Sequence, residues 1–143
     1  MPNDRFLVDT SAWLFALRRD FVPEIKNRID GLLKDDRVVT TGIVQVELLS
    51  GTRTEEEYRR LKSRLEALES IRTDDVVWKE TCENAYKLRR RGLTVPSTDV
   101  LIATCSLMTD STVLHSDAHF DLMAKPLGLK VESLVKTLRK ALR

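Results

Sequence analysis

The sequence predicts an α/β fold, in which a mostly parallel central sheet is flanked by helices on both faces. Short apolar runs, typical of strands that are buried on both faces, alternate along the whole chain with segments of helical periodicity. Several of these runs end directly at acidic or hydroxyl residues, which suit the start of a helix. The 143 residues fit one domain, residues 1–143, and show no internal repeat or linker.

Composition restricts the class of protein without assigning a function. Hydrophobic residues make up 42% of the chain and charged residues 32%, as in ordinary globular proteins. The net charge of +2 is too small to establish a nucleic-acid partner. No segment resembles a signal peptide or a membrane span, so we expect no membrane association. Cys82 and Cys105 lie in apolar helical patterns, which predicts buried free thiols and indicates a cytoplasmic location.

The first strand ends at an acid. Phe6–Val8 is a short apolar run, and it stops abruptly at Asp9. Thr10 and Ser11 can cap a helix, which the apolar segment Ala12–Leu17 then forms. Asp9 is therefore expected at the carboxyl end of a buried strand, beside the N-terminal amides of a helix, where α/β proteins build their sites.

The elements up to the middle of the chain continue the alternation. A polar break at Arg18–Asp20 precedes them, and Pro23 suits a first helical turn. Gly51 suits a helix end, and Thr54–Glu57 fits a capping box. The predicted elements are a helix with Ile25, Ile29, Leu32 and Leu33 on its apolar face, a strand at Val38–Thr41, a helix opened by Gly42 that carries Ile43, Val44, Val46, Leu48 and Leu49, and an amphipathic helix with Tyr58, Leu61, Leu65 and Leu68 on one face.

The second half is predicted in the same way. One helix is apolar on nearly all sides, which places it at the centre of the molecule. The predicted elements are a short strand at Ile71, a helix from about Asp75 to near Gly92 with Val77, Cys82, Ala85, Tyr86 and Leu88 inward, the central helix Val100–Met108 capped by Ser97–Asp99, a strand at Thr112–His115, a strand-to-helix turn at Ser116–Phe120, a break at Pro126 and Gly128, a strand around Lys130 and Val131, and a final amphipathic helix with Leu134, Val135, Leu138 and Leu142.

Four carboxylates stand out by their positions. Asp9 and Asp117 each follow a predicted strand, and Asp99 begins the central helix. Glu47 shares the apolar face of Ile43 and Val44 on its helix. All four fall near strand ends or helix starts, so one edge of a parallel sheet could gather them.

Electrostatics favours a cation at such a cluster. Two carboxylates about 5 Å apart repel by roughly 3 kcal/mol at an effective dielectric constant near 20. The acids must be protonated, paired with Lys or Arg, or bound to a divalent ion. The sequence around them offers almost no basic residue. A set of oxygen ligands without Cys or clustered His points to Mg²⁺ or Mn²⁺ rather than Zn²⁺.

Each acid also has a purely structural explanation. Asp9 and Asp99 are good N-caps, and Asp117 suits an Asx-turn. Glu47 is hardest to explain this way, because an acid on an apolar helix face needs a partner. One at a time, the structural explanations are preferable, but four acids at comparable topological positions favour a site.

The sequence resembles the PIN-domain ribonucleases, most closely the VapC toxins of bacterial and archaeal toxin–antitoxin pairs. The resemblance covers the whole chain, and four segments in this order carry it: Val8–Trp13, Val46–Gly51, Ser97–Thr104 and Val113–Phe120. It implies a PIN-like three-layer fold and a metal-dependent endoribonuclease that acts as the toxin of a type II pair. It also implies an RNA substrate, a cognate VapB-type antitoxin, a homodimer, and products with 5′-phosphate and 3′-hydroxyl ends.

The resemblance assigns the acidic metal site to Asp9, Glu47, Asp99 and Asp117, with Mg²⁺ or Mn²⁺ as the cofactor. Either of the hydroxyl residues that follow Asp9, Thr10 and Ser11, would hold a metal-bound water. One position departs from the family pattern. Many relatives have a further acid two residues after the fourth, where this chain has His119. His119 could support a second metal, hold a phosphate or take no part, and Asp121 is a poor substitute by spacing.

Arg89, Arg90 and Arg91 form the one compact basic run near these motifs. They could contact RNA phosphates, or they could complement the dipole at a helix C-terminus, and the sequence favours neither strongly. Two other functions stay open. One is a catalytically silent PIN-like module that only binds partners. The other is an Asp-based α/β phosphoryl-transfer or receiver-type protein, although Asp9 lacks the second acid two residues later that haloacid-dehalogenase-type phosphatases require.

Overall fold

The structure is a computed structural model that describes residues 4–17 and 22–142. Its centre is a five-stranded, wholly parallel sheet with the strand order β3-β2-β1-β4-β5. The strands are β1 (Phe6–Val8), β2 (Val38–Thr41), β3 (Glu69–Ile71), β4 (Thr112–His115) and β5 (Val131–Ser133). The predicted α/β class is confirmed, and the predicted polar break at Arg18–Asp20 lies outside the described residues.

Eight helices of the described part connect and flank these strands. They are α1 (Thr10–Leu17), α2 (Pro23–Lys34), α3 (Gly42–Ser50), α4 (Glu55–Glu66), α5 (Asp75–Arg90), α6 (Ser97–Thr109), α7 (Ala118–Leu127) and α8 (Val135–Ala141). None of them is both long enough and apolar enough to cross a membrane.

The strand order creates a switch point between β1 and β4. The chain moves from β1 to β2 and β3 at one side, then crosses to β4 and β5 at the other. Right-handed crossovers then place α1–α4 on one face of the sheet and α5–α7 on the other. The helix contacts agree, because α1 packs on α2 and α3, whereas α5 packs on α6 and α7. Ligand sites of open α/β sheets form at such a switch point.

The core lies on both faces of β1 and around α6. Every residue of β1 and β2 is buried, which explains their unbroken apolar or Thr composition. In α6, all residues from Asp99 to Ser106 are buried, as the apolar pattern predicts. The connector from α5 needs Gly92, whose φ of 78° is the left-handed conformation that glycine adopts without strain.

Four local predictions about helix ends are corrected by the structure. Asp9, rather than Thr10 or Ser11, caps α1, since its carboxylate accepts the Ser11 amide hydrogen at 3.0 Å. Helix α6 starts at Ser97 without a side-chain cap. Thr54 caps α4 as predicted, but Glu57 accepts from the amide of Arg53 instead of completing the box at Thr54. Helix α7 continues through Pro126 and ends before Gly128, because a left-handed Gly128 terminates it.

The predicted inward face of α5 is wrong at two positions. Tyr86 and Cys82 are exposed, so of the two predicted buried thiols only Cys105 is confirmed. The buried positions include Thr81 and Asn84 instead. Asn84 Nδ2 donates to Thr104 Oγ1 on α6 at 3.0 Å, and this buried hydrogen bond is what allows a polar residue to face inward.

Candidate metal centre

The carboxyl ends of the two central strands bring Asp9 and Asp117 to one edge of the sheet. Strands β1 and β4 are hydrogen-bonded neighbours, with Val8 beside Leu114. The amide of Asp9 donates to the carbonyl of Leu114 at 2.9 Å. The predicted gathering of acids at this edge therefore follows from strand order, which the sequence alone does not specify.

A pair of serines fastens the two strand-to-helix turns to each other. Ser11 Oγ accepts from the amide of Ser116 at 3.0 Å, and Ser116 Oγ donates to the carbonyl of Ser11 at 2.9 Å. These bonds span 105 residues of sequence and fix the position of Asp9 relative to Asp117. The sequence reasoning missed Ser116 in this role; its place directly before Asp117 was the only available signal.

Asp99 reaches the same edge from the first turn of α6. Its side chain is only 12% exposed. Burial raises the pKa of Asp99 to about 6, and the charges of Asp9 and Asp117 add to the effect. Asp99 is thus the acid of the three on which the other two charges act.

His119 joins two of these acids. Its Nδ1 lies 3.1 Å from Asp99 Oδ2 and 3.1 Å from Asp117 Oδ1. Ligand atoms of Asp99, Asp117 and His119 all lie within 4.8 Å of one another, a spacing that one metal ion can bridge. The residue that departs from the family pattern is therefore part of the acidic cluster, because its ring is shared by two carboxylates.

Glu47 approaches the cluster from α3. Its Oε1 accepts a hydrogen bond from Thr10 Oγ1 at 2.8 Å, and this hydroxyl is the partner that an acid on an apolar face requires. Burial raises the pKa of Asp9, and the charge of Glu47 contributes in the same direction. The structure thus connects all four predicted acids, with Asp99, Asp117 and His119 closest together and Glu47 linked through Asp9 and Thr10.

His115 holds the backbone of Asp117. It is fully buried, and its Nδ1 accepts from the amide of Asp117 at 3.1 Å. Burial lowers the pKa of His115, which favours the neutral ring that this acceptor role needs. Its Nε2 lies 3.1 Å from Asp121 Oδ1, outside hydrogen-bond geometry. Asp121 also accepts from Ser133 Oγ, so it has partners away from the cluster.

The donor set fits a hard divalent cation. Within residues 4–17 and 22–142, no Lys or Arg forms an ion pair with any of the four acids, and His119 is the one basic side chain paired with their carboxylates. Burial is the main cause of the raised pKa of Asp99, and the neighbouring carboxylates of Asp9 and Asp117 add to it. Carboxylate oxygens on a partly open edge are ligands that Mg²⁺ and Mn²⁺ prefer.

The predicted arginine run lies at the C-terminal end of α5, before the connector that leads to Asp99. Helices α5 and α6 are antiparallel, joined by a short connector and by the Asn84–Thr104 hydrogen bond. Arg89 follows Asn84 by five residues on α5, and Asp99 precedes Thr104 by five residues on α6. All three arginines of the run are exposed, and the Arg90 guanidinium lies 6.0 Å from the ring centroid of Tyr86.

A family model and curated relatives match this chain. The model described as PIN domain matches residues 6–126. Ribonuclease VapC11 of Mycobacterium tuberculosis is 30% identical over 132 residues, which cover 89% of this chain and 97% of the relative. Ribonuclease VapC21 of the same species is 29% identical over 134 residues, covering 92% and 94%.

Solved structures show the same fold. VapBC2 from Rickettsia felis, bound to a DNA fragment from its promoter, matches with a TM-score of 0.73 and 21% identity over 90% of this chain and 97% of that one. DNA-bound VapBC from Salmonella typhimurium matches with a TM-score of 0.73 and 20% identity over 91% and 98%.

Proposed function

Because the chain belongs to the PIN-domain family, and groups within it with the VapC ribonucleases, we propose that it is a metal-dependent endoribonuclease that hydrolyses RNA phosphodiester bonds. The observation that supports the proposal most directly is the gathering of Asp9, Glu47, Asp99 and Asp117 at the sheet switch point. Burial and neighbouring carboxylates raise the pKa of Asp9 and Asp99 there, and no Lys or Arg in the described part of the chain pairs with the four acids.

The biological role that we propose is that of a toxin. Curated relatives are named VapC ribonucleases, and similar structures are VapBC complexes. A VapB-type antitoxin is accordingly the proposed partner, and we further propose a homodimer and a cytoplasmic location. A silent PIN-like module would have no need to keep four acids together without a Lys or Arg partner, and this favours the enzyme.

Asp9, Glu47, Asp99 and Asp117 would hold Mg²⁺ or Mn²⁺. A divalent ion bound there would polarise the phosphodiester and lower the pKa of a bound water. His119 places its ring nitrogen 3.1 Å from a carboxylate oxygen of Asp99 and of Asp117, so it would contact the same two acids that hold the ion.

The hydroxyl residues keep the acids in place. Thr10 holds Glu47, and Ser11 holds the turn that carries Asp117 through Ser116. In addition, we propose that one of the two hydroxyls, Thr10 or Ser11, orients the attacking water. Precise support of this kind matters because small displacements of catalytic groups lower rates strongly.

Cleavage of a pool of cellular RNAs by the purified protein tests the function. The reactions contain Mg²⁺, Mn²⁺ or chelator, and the cut ends are mapped. We expect cuts at defined positions with 5′-phosphate and 3′-hydroxyl ends only when metal is present. A protein that binds RNA but cuts nothing with either metal would be a silent module instead.

Replacing Asp117 by Asn tests its place in the cluster through stability. Asn can still cap α7, where the Asp117 carboxylate accepts from the His119 amide at 2.9 Å. The loss of one repelling charge should leave the metal-free variant at least as stable as wild type. Added Mg²⁺ should raise the melting temperature of wild type more than that of Asp117→Asn. Equal shifts in the two proteins would remove Asp117 from the proposed ligands.

The arginine run is tested by salt dependence. If Arg89, Arg90 and Arg91 contact RNA phosphates, the triple change to Gln should weaken binding of every RNA sequence and reduce the slope of log Kd against log salt. If they only complement the helix dipole, the change should cost about 0.3–1 kcal/mol of stability and leave the slope intact. Fluorescence anisotropy over a range of salt distinguishes these results, and an unchanged slope would exclude the phosphate role.

A further inference from the structure

We infer that His119 is a nitrogen ligand of the ion that Asp99 and Asp117 hold, and that it shifts the preference of the site from Mg²⁺ towards Mn²⁺. This inference rests on the proposed function and adds to it the chemical class of the cofactor, a divalent transition-metal ion. Carboxylates alone suit either ion, so a single nitrogen donor among them can decide between the two.

The first turn of α7 brings the ring of His119 to the acids. Asp117 caps this helix, because its Oδ1 accepts from the His119 amide at 2.9 Å. This bond fixes the backbone of His119 beside the carboxylate that precedes it by two residues. Asp99 approaches from α6, which packs on α7. The position of the ring therefore follows from a helix cap and from the packing of two helices.

The ring nitrogen Nδ1 faces both carboxylates. It lies 3.1 Å from Asp99 Oδ2 and 3.1 Å from Asp117 Oδ1. A ring nitrogen carries at most one proton, so it can form a well-aligned hydrogen bond to only one of these oxygens. The contact to Asp99 has hydrogen-bond geometry. A hydrogen bond thus explains one of the two short contacts and leaves the approach of Nδ1 to Asp117 unexplained.

A shared ion explains both contacts. Two neighbouring ligand atoms of an octahedral ion, each about 2.1 Å from it, lie about 3.0 Å apart. Both distances from Nδ1 to the carboxylate oxygens are close to this value. The ligand atoms of Asp99, Asp117 and His119 also lie within 4.8 Å of one another. The nitrogen is therefore spaced from each oxygen as a neighbouring ligand would be.

Of the two histidines in the chain, only His119 is free to supply such a nitrogen. Nδ1 binds an ion when the ring is neutral and carries its proton on Nε2. The His119 side chain is 39% exposed, so water can accept a hydrogen bond from that proton. His115 is fully buried, and its Nδ1 already accepts from the Asp117 amide. A nitrogen ligand from histidine would accordingly identify His119.

A nitrogen donor changes the preference among divalent ions. Mg²⁺ takes oxygen ligands in a near-ideal octahedron and gives up its waters reluctantly. Imidazole nitrogen suits transition metals better than it suits Mg²⁺. An oxygen donor at position 119 would leave a site made of oxygens alone. The histidine is therefore the feature of this cluster that distinguishes Mn²⁺ from Mg²⁺.

Pulsed electron paramagnetic resonance of bound Mn²⁺ tests the ligand directly. The protein carries no histidine tag and RNA is absent, so the readout does not depend on activity. Electron spin-echo modulation detects a ¹⁴N nucleus bonded to Mn²⁺. We expect this modulation in wild type, and labelling of histidine with ¹⁵N should replace it by the ¹⁵N pattern. In His119→Asn, which offers an oxygen near the place of Nδ1, the histidine modulation should be absent.

The control is Lys125→Gln, a change at an exposed position of the same helix, and it should keep the modulation. Bound Mn²⁺ without histidine modulation in wild type would overturn the inference, as would modulation that persists in His119→Asn. Circular dichroism checks that the variants fold. If His119→Asn does not fold, the labelled wild type still decides, because the label requires no substitution.

The affinities for the two ions test the shift in preference. Isothermal titration calorimetry gives the ratio of the Kd for Mg²⁺ to the Kd for Mn²⁺ in wild type, His119→Asn and His119→Asp. Because oxygen replaces nitrogen in both variants, we expect this ratio to fall at least about tenfold in each. The ratio also removes the effect of the charge that His119→Asp adds, since both ions are divalent. An unchanged ratio in both variants would refute the shift.

Failure of this inference and failure of the proposed function give different results. RNA cleavage by a protein whose bound Mn²⁺ shows no histidine modulation would reject the ligand role of His119 and leave the nuclease standing. Wild-type protein that binds neither Mg²⁺ nor Mn²⁺ would reject both.

Discussion

The change of Asp99 to Asn is expected to abolish RNA cleavage while the protein stays folded. Asp99 is the buried acid of the cluster, and its charge is coupled to those of Asp9 and Asp117. Asn has nearly the same shape but is neutral, so the variant loses a charge that the cation needs and keeps the packing. We expect a fall in cleavage rate of at least about a hundredfold, the usual cost of removing one preorganised electrostatic contact. Asp9→Asn should act alike, because Asn can also cap α1.

The matched control is Asp75→Asn, which removes an acid from the first turn of the neighbouring helix α5. Cleavage and growth inhibition in cells are measured for all three variants, with circular dichroism as a check on folding. The control should remain toxic, and the two cluster variants should not. Full cleavage by Asp99→Asn or Asp9→Asn would reject the acidic cluster as the catalytic site.

Without metal, the protein should lose stability as the pH rises from about 4 to 6. The folded state holds a proton on Asp99 up to its pKa of about 6, whereas the ordinary value is 3.8. In this window the folded state binds more protons than the unfolded state, so the free energy of unfolding falls with rising pH. A shift of this size corresponds to about 3 kcal/mol at most. The raised pKa of Asp9 acts in the same direction.

Urea unfolding in chelator at several pH values measures this effect. Burial lowers the pKa of His115, which acts in the opposite direction, so the informative quantity is the difference between wild type and Asp99→Asn. The free energy of unfolding of the variant should increase relative to that of wild type as the pH rises to about 6. Above that pH, Mg²⁺ or Mn²⁺ should restore the stability of wild type. A difference that does not depend on pH would mean that Asp99 is not held at a raised pKa.

The sequence was sufficient for the parts of the structure that depend on local pattern. Asp9 and Asp117 lie at strand ends because apolar runs stop there, and Asp99 lies in the first turn of α6. The parallel α/β class follows from the alternation of elements. The position of Glu47 could be inferred because an acid on an apolar face requires a partner, although Thr10 could not be identified as that partner.

Contacts between distant residues could not be predicted. The Ser11–Ser116 bonds depend on β1 lying beside β4, and the His119 contacts depend on α6 approaching the same edge. The wrong inward face predicted for α5 has the same origin. Asn84 faces inward because its side chain donates a hydrogen bond to Thr104 on α6. Polar pairs of this kind leave no periodic signal in a single sequence.

The acidic cluster as a divalent-metal site is the central claim, and anomalous scattering from a crystal soaked with Mn²⁺ above neutral pH tests it most directly. Asp99 is ionised there, since its pKa is about 6. We predict an anomalous difference peak within ligand distance of the Asp99 and Asp117 carboxylates, which disappears in a crystal of Asp99→Asn. A wild-type crystal with Mn²⁺ bound only elsewhere, or with no peak at all, would contradict the account.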